Sequence, residues 1–166
     1  MRTMAESASP QRLTLLVDDN PDDVLLARRV FERAGLSESI RSLPSGVEAI
    51  AYLRGDSPYS DRTTHPMPGL VLLDIKMPGT DGFEVLRWIR EQPELLGLCV
   101  VMLTSSDEIR DVNRAYQLGA DSFLVKPLDF GSMRELWGSL GGLLAARARR
   151  TTPPPRLRPE PWVGEV

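Results

Sequence analysis

The stretch GLVLLDIKMPGTDG at residues 69–82 decides the fold of this chain. Four apolar residues, Leu70–Leu73, lead directly into the carboxylate of Asp74, and a turn rich in glycine and aspartate follows. Because the run has no polar alternation, it predicts a strand covered on both faces, as in a parallel sheet between helices. Such a strand ends at the sheet edge where open α/β folds bind ligands. Asp74 is therefore either a site residue or a solvated residue at the start of a loop, and this stretch alone favours neither.

The rest of the chain repeats the unit of a strand followed by a helix. Besides the central strand, the apolar runs predict strands at Leu13–Val17, Ser39–Leu43, Leu98–Leu103 and Ser122–Val125. Capping residues and helical spacing predict helices that begin near Asn20-Pro21, Ser45-Gly46, Asp81-Gly82, Asp107 and Asp129, the last ending near Ala146. Five alternations predict a doubly wound α/β fold, with a five-stranded parallel sheet, helices on both faces and right-handed crossovers.

Length and composition restrict the class of protein. A chain of 166 residues suits one domain with tails, and the net charge of −3 gives no reason to expect nucleic acid as a partner. Met1–Pro10 has no apolar segment of the kind a signal peptide needs, and no run approaches the length of a membrane span. The single cysteine, Cys99, excludes an intrachain disulfide and is expected to be a small core residue. We therefore expect a soluble cytoplasmic protein.

Three segments lie outside this pattern. Residues 1–11 and the tail at 147–166, which is rich in proline and arginine, have compositions that bury little surface, so we expect both to be disordered around a domain at 12–146. Residues 55–68 form a long polar loop before the central strand, and loops of this length are often functional or mobile. His65, the one histidine, lies in this loop and is expected to be solvated.

Four of the predicted strands end in polar residues. Asp18-Asp19, Asp74, Thr104 and Lys126 each follow an apolar run, and in a parallel sheet these ends share one edge. Three crowded carboxylates repel one another and need positive charge to stay ionised. Lys126 supplies one charge, and a divalent cation would supply the rest. Oxygen ligands with room for water suit Mg²⁺, and the absence of nearby sulfur or histidine from this set of residues argues against zinc.

Such a site has the groups needed for phosphoryl transfer. A carboxylate beside Mg²⁺ and an ammonium group can attack phosphorus to give an aspartyl phosphate. The cation and Lys126 would neutralise charge on the equatorial oxygens, and the hydroxyl of Thr104 could donate a hydrogen bond to one of them.

These motifs together resemble the receiver domain of two-component response regulators. The resemblance covers about Leu13 to Ala146 and rests on Asp18-Asp19, on Asp74 in LVLLDIKMPGTDG, on Thr104 after VVML, and on Lys126-Pro127 after ADSFLV. Each motif alone is common, but all four in order after apolar strands are specific. DDNPDDVLLARRVFERAG at residues 18–35 and the loop at 55–68 look more narrowly like the stand-alone receivers that serve phytochrome-type histidine kinases.

The resemblance implies a flavodoxin-like strand order of 2-1-3-4-5 and a role for each matching residue. Asp74 would accept a phosphoryl group from a kinase phosphohistidine, and Lys126 would pair with that group. Asp19, Asp74 and the backbone carbonyl of Lys76 would bind Mg²⁺, with Asp18 helping directly or through water. Thr104 would move toward the phosphoryl group, Phe123 would be the aromatic switch residue rather than a plain buried aromatic, and Lys126-Pro127 would be a cis peptide.

Lys76 departs from the simplest form of the site because it places a positive side chain two residues after the acceptor. Our hypothesis is that Lys76 alters the lifetime of the phosphorylated state. Comparing dephosphorylation of the wild type and Lys76→Asn tests it, and equal rates would support the alternative that Lys76 points into solvent and has no such effect.

The resemblance also implies how a phosphorylated protein would signal. With no output domain after Ala146, we expect a protein that signals by binding rather than an enzyme, with a histidine kinase as partner and a possible homodimer through helix four, strand five and helix five. Two alternatives stay open. One is a Mg²⁺-dependent phosphatase with an aspartyl nucleophile. Such enzymes typically carry an Asp-x-Asp motif whose second aspartate acts as acid and base, and Lys76 at that position disfavours this alternative. The other is a receiver-like module without phosphotransfer.

Overall fold

The structure is a computed structural model. It describes residues 13–105 and 109–149, without the side chains of Glu38, Ile109 and residues 140–149. Five parallel strands form one sheet in the order β2-β1-β3-β4-β5. The doubly wound fold and the strand order are therefore confirmed.

Strands and helices alternate along the whole described chain. The strands are β1 (Thr14–Val17), β2 (Ile40–Leu43), β3 (Leu70–Asp74), β4 (Cys99–Thr104) and β5 (Ser122–Val125). The helices are α1 (Pro21–Arg33), α2 (Gly46–Arg54), α3 (Gly82–Glu91), α4 (Ile109–Gln117) and α5 (Phe130–Arg149). Short 3₁₀ turns at Ser37–Ser39 and Pro93–Leu95 precede β2 and β4.

The central strands are mostly apolar because they supply two cores. Val71 and Leu73 pack into one cluster with residues of α2 and α3, whereas Leu70 and Leu72 pack into the other with residues of α1 and α5. Successive side chains of a strand point to opposite faces, so both positions of the period-two pattern are buried. Cys99 is fully buried in the α1–α5 cluster, which agrees with its expected core role.

The α1 helix is capped at both ends. Asn20 caps the N-terminus by accepting hydrogen bonds from the backbone N–H groups of Asp22 and Asp23, and Pro21 occupies the first turn. At the other end Gly35 adopts φ +75°, and the N–H of Leu36 donates to the carbonyl of Phe31 in the pattern of a Schellman motif.

The turn after β3 brings α3 close to the end of that strand. Asp81 and Glu84 form a reciprocal capping box at the start of α3. Gly82 lies so close to the strand that a Cβ atom there would be 2.2 Å from the backbone oxygen of Asp74. A side chain at position 82 would therefore displace the backbone that carries Asp74.

Some element boundaries differ from those expected. The Ser39 residue belongs to the 3₁₀ turn and not to β2, and α5 extends to Arg149, beyond Ala146. The expected helix start at Asp107, the disordered segment at 1–11 and most of the tail, from residue 150 on, lie outside the described residues. None of the helices in the described ranges is both long and apolar enough to cross a membrane.

The long loop at 55–68 is ordered by contacts that the sequence did not reveal. Arg62 donates hydrogen bonds to the carbonyl oxygens of Tyr52 and Leu53 at the end of α2. His65 was expected to be solvated, but it is partly buried, with its Nδ1 atom 3.1 Å from Arg41 and its ring edge-on to those of Tyr52 and Tyr59. The expectation was wrong because Arg41 and Tyr52, which lie outside the loop, surround the ring together with Tyr59.

Candidate functional site

The carboxyl ends of four strands place the expected site residues at one edge of the sheet. Asp18 follows β1 directly, and Lys126 follows β5. Asp74 is the last residue of β3, and Thr104 is the last residue of β4. The strand register pairs Asp74 with Leu103, the neighbour of Thr104, so these two residues sit at adjacent strand ends.

The ammonium group of Lys126 is surrounded by carboxylates. Its Nζ atom lies 2.8 Å from Oδ2 of Asp18 and 3.0 Å from Oδ2 of Asp74. It also lies 2.9 Å from Oδ2 of Asp23, in the first turn of α1. Three carboxylates therefore surround a single positive charge, and the one from Asp23 accepts a hydrogen bond from it.

Asp23 was missed in the sequence. Two adjacent acids at the N-terminus of a helix are fully explained by their favourable interaction with the positive end of the helix dipole, so the sequence gives no separate reason to single out Asp23. The two acids are distinguished only once the rotation of α1 in the fold is known, because Asp23 then meets Lys126 at the sheet edge and Asp22 is exposed.

Three carboxylates lie close enough together to hold a divalent cation. One oxygen each from Asp18, Asp19 and Asp74 lies within 4.8 Å of the other two. Oδ1 of Asp18 accepts a hydrogen bond from the backbone N–H of Asn20, whereas the enclosed Oδ2 atom accepts none with good geometry, although the ammonium group of Lys126 lies nearby. Oxygen donors with a buried, incompletely satisfied carboxylate fit Mg²⁺ or Mn²⁺.

Burial and the neighbouring charges shift the pKa values of the two central groups. Burial raises the pKa of Asp74 to about 6, although a hydrogen bond and the charge of Lys126 act in the opposite direction. Burial alone would lower the pKa of Lys126, but the close contacts of its ammonium group with the carboxylates of Asp18, Asp23 and Asp74 together raise it above its usual value. Lys126 therefore stays charged at neutral pH. The negative charge on Asp74 is costly as long as no metal ion is bound beside it.

Two further residues that the sequence assigned to the site, Thr104 and Lys76, differ in their exposure. Thr104 is buried, and its carbonyl oxygen accepts a hydrogen bond from the backbone N–H of Lys126. Lys76 is exposed to solvent, and its backbone N–H donates to the carboxylate of Asp74. The Lys126-Pro127 peptide is cis, as is Ser57-Pro58, which the sequence did not predict.

Phe123 lies between the core and the surface. Its ring is partly buried against the core cluster of the α2–α3 face, and its other side meets Tyr116 edge-on with ring centroids 6.2 Å apart. Tyr116 on α4 is itself exposed. A movement of the Phe123 ring would therefore change an exposed surface.

The fold and the edge cluster define a doubly wound α/β protein with an acidic, lysine-containing site at the carboxyl ends of its strands. The model of the response regulator receiver domain family matches residues 14–137. The chain therefore belongs to the response regulator receiver domain family of two-component signalling proteins.

Three similar proteins illustrate the match. The probable methanogenesis regulatory protein FilR2 of Methanothrix harundinacea is 38% identical over 122 residues, covering 74% of this chain and 76% of FilR2. Response regulator Rcp1 of Synechocystis is 33% identical over 74% of this chain and 82% of Rcp1, and a solved Mn²⁺-bound form of Rcp1 has a TM-score of 0.64 at 30% identity over 86% of this chain and 99% of that one. The solved bacteriophytochrome response regulator AtBRR has a TM-score of 0.68 at 39% identity, covering 78% of this chain and 92% of that one.

Proposed function

We propose that this protein accepts a phosphoryl group on Asp74 from the phosphohistidine of a sensor histidine kinase, with Mg²⁺ bound beside it. The observation that carries the proposal is the contact between Asp74 and the buried ammonium of Lys126, next to two further carboxylates that could share a cation. Asp18, Asp19, Asp74 and the backbone carbonyl of Lys76 would hold the metal.

The transfer would be a displacement at phosphorus. A carboxylate oxygen of Asp74 forms the new bond to phosphorus, and the bond from phosphorus to the imidazole nitrogen breaks with its electron pair staying on nitrogen. When bound, Mg²⁺ supplies positive charge that offsets the phosphoryl oxygens. Lys126 would supply the second positive charge, and the hydroxyl of Thr104, at the end of the adjacent strand, would donate a hydrogen bond to a phosphoryl oxygen.

The kinase partner we propose is of the phytochrome type. AtBRR, a similar solved structure, is a bacteriophytochrome response regulator. The support for this narrower proposal is similarity over most of both chains, whereas the support for phosphotransfer itself is the geometry of the cluster.

Incubation of the full chain with acetyl phosphate tests the proposal without a kinase. We expect one phosphoryl group per chain in the presence of Mg²⁺ and none when the metal is chelated. Continuous release of phosphate over many turnovers would instead indicate a phosphatase. Absence of labelling under both conditions would indicate a binding module without phosphotransfer.

We further propose that the phosphorylated protein signals through the surface formed by α4, β5 and α5, including self-association through that surface. A dianionic group at the sheet edge would draw Thr104 toward it and leave space for Phe123, which would change the contact between Phe123 and Tyr116. Size-exclusion chromatography with and without a phosphoryl mimic tests this proposal. A larger assembly is expected with the mimic, and a Tyr116→Ala variant should weaken it, whereas elution that is unchanged by the mimic would contradict self-association as the output.

A further inference from the structure

Asp23 differs from the other carboxylates that contact Lys126. Asp18 and Asp74 belong to the group whose oxygens could share a cation, and Asp23 does not. Asp23 nevertheless approaches Lys126 as closely as they do, at 2.9 Å, from an element 103 residues away in the chain. The side chain of Asp23 is 26% exposed, compared with 1% for Asp18, so it reaches the cluster from its solvent side.

Capping of α1 does not account for this contact. Asn20 caps the helix by accepting hydrogen bonds from the backbone N–H groups of Asp22 and Asp23, and it leaves both carboxylates available. The neighbouring Asp22 is exposed and supplies the same charge to the helix N-terminus. The carboxylate of Asp23 therefore has a specific partner, whereas that of Asp22 serves the helix end alone.

The ammonium group of Lys126 and a bound cation would compete for the carboxylates of Asp18 and Asp74. An ammonium group held by these two carboxylates neutralises part of the charge that would attract a cation, and it repels the cation itself. Asp23 gives Lys126 a third partner outside the group whose oxygens could share the cation. The ammonium group can then stay in the cluster while Asp18 and Asp74 turn toward the cation.

We infer that Asp23 is a positioning residue that holds Lys126 on the α1 side of the cluster and so raises the Mg²⁺ affinity of the group formed by Asp18, Asp19 and Asp74. The inference rests on the proposed function, because it assumes that this group binds Mg²⁺. Asp23→Asn removes a negative charge and leaves Lys126 to Asp18 and Asp74 alone. Both changes act in the same direction, toward weaker binding of the metal.

The test is calorimetric titration of the metal-free full chain with Mg²⁺. We expect Asp23→Asn to raise the Kd for Mg²⁺ about tenfold. The matched control Asp22→Asn removes the same charge from the same helical turn, and its Kd should stay within about twofold of the wild type because the charge is in solvent. Asp23→Glu restores the carboxylate and should recover most of the affinity.

A second readout reports on Lys126 directly. In the absence of Mg²⁺, the ¹⁵N NMR signal of the Lys126 ammonium group should shift in Asp23→Asn and remain in place in Asp22→Asn. A purely structural role of Asp23 in helix α1 would lower stability without moving this signal selectively. Thermal unfolding of each variant checks that the fold is intact.

The outcomes separate this inference from the proposed function. If the wild type binds Mg²⁺ and is labelled by acetyl phosphate, but Asp23→Asn binds Mg²⁺ as Asp22→Asn does, the inference is wrong and the proposed function stands. Tighter binding by Asp23→Asn would also overturn the inference. If the wild type binds no Mg²⁺, the metal part of the proposed function fails first, and the inference fails with it.

Discussion

Replacing Asp74 by asparagine is expected to stabilise the metal-free fold at about pH 7.5 by on the order of 2 kcal/mol while it abolishes labelling by acetyl phosphate. Burial raises the pKa of Asp74 to about 6, from an ordinary value of 3.8. The folded protein therefore holds a proton more tightly than the unfolded chain does, and ionising Asp74 costs stability. The cost sets in as the pH rises from about 4 to about 6, and it is fully present above that range.

Denaturant unfolding of the wild type and Asp74→Asn across this pH range measures the effect. The difference in stability between Asp74→Asn and the wild type should shrink as the pH falls toward 4. Asp74 of the folded wild type is then protonated and no longer carries the charge that costs stability. Added Mg²⁺ should stabilise the wild type more than the variant. Asp22→Asn is the control, and it should show no comparable dependence on pH. If Asp74→Asn were less stable than the wild type at neutral pH, the ion pair with Lys126 would outweigh the cost of burial, and our account of the raised pKa would be wrong.

Replacing Lys126 by methionine is expected to have the largest effect on stability, a loss of about 3–5 kcal/mol in metal-free buffer at neutral pH. The substitution keeps much of the apolar stem but leaves Asp18, Asp23 and Asp74 without the cation that they share. Part of the loss should be recovered by Mg²⁺ or by acidification to about pH 5, since either one neutralises carboxylate charge. The same variant should lose about 100-fold or more in the rate of labelling by acetyl phosphate.

Replacing Lys126 by arginine tests whether a positive charge is sufficient at this position or whether the compact shape of the ammonium group is also required. Lys126→Arg retains the positive charge, but its planar guanidinium group cannot occupy the position of a compact ammonium group. We expect it to restore much of the stability and little of the labelling rate. Chemical denaturation with and without Mg²⁺ provides the comparison. If Lys126→Met were as stable as the wild type in metal-free buffer, the three carboxylates would not depend on this lysine for their charge balance.

Much of the fold and of the site could be predicted from the sequence, because both depend on where apolar runs end. The apolar run Leu70–Leu73 predicts a strand buried on both faces, and in a parallel sheet the polar residues that end four such runs lie at one edge. That argument alone places Asp18, Asp74, Thr104 and Lys126 together, and the geometry agrees. The role of each residue came from the resemblance to receivers and stays a prediction.

The parts that could not be predicted depend on contacts between distant elements. Asp22 and Asp23 are chemically identical neighbours, and only the rotation of α1 against β5 determines which one meets Lys126. The ordered loop at 55–68 is a second case. Arg62 and His65 have no local pattern that marks them as buried, and their partners are supplied by α2 and β2.

The measurement that tests the central claim most directly is identification of the phosphorylated residue. The wild-type chain is labelled with acetyl phosphate and Mg²⁺, the acyl phosphate is trapped by reduction with borohydride, and the modified peptide is sequenced by mass spectrometry. Our account predicts modification at Asp74 alone. Modification at Asp18, Asp19 or any residue outside the cluster, or the absence of an acyl phosphate altogether, would contradict it.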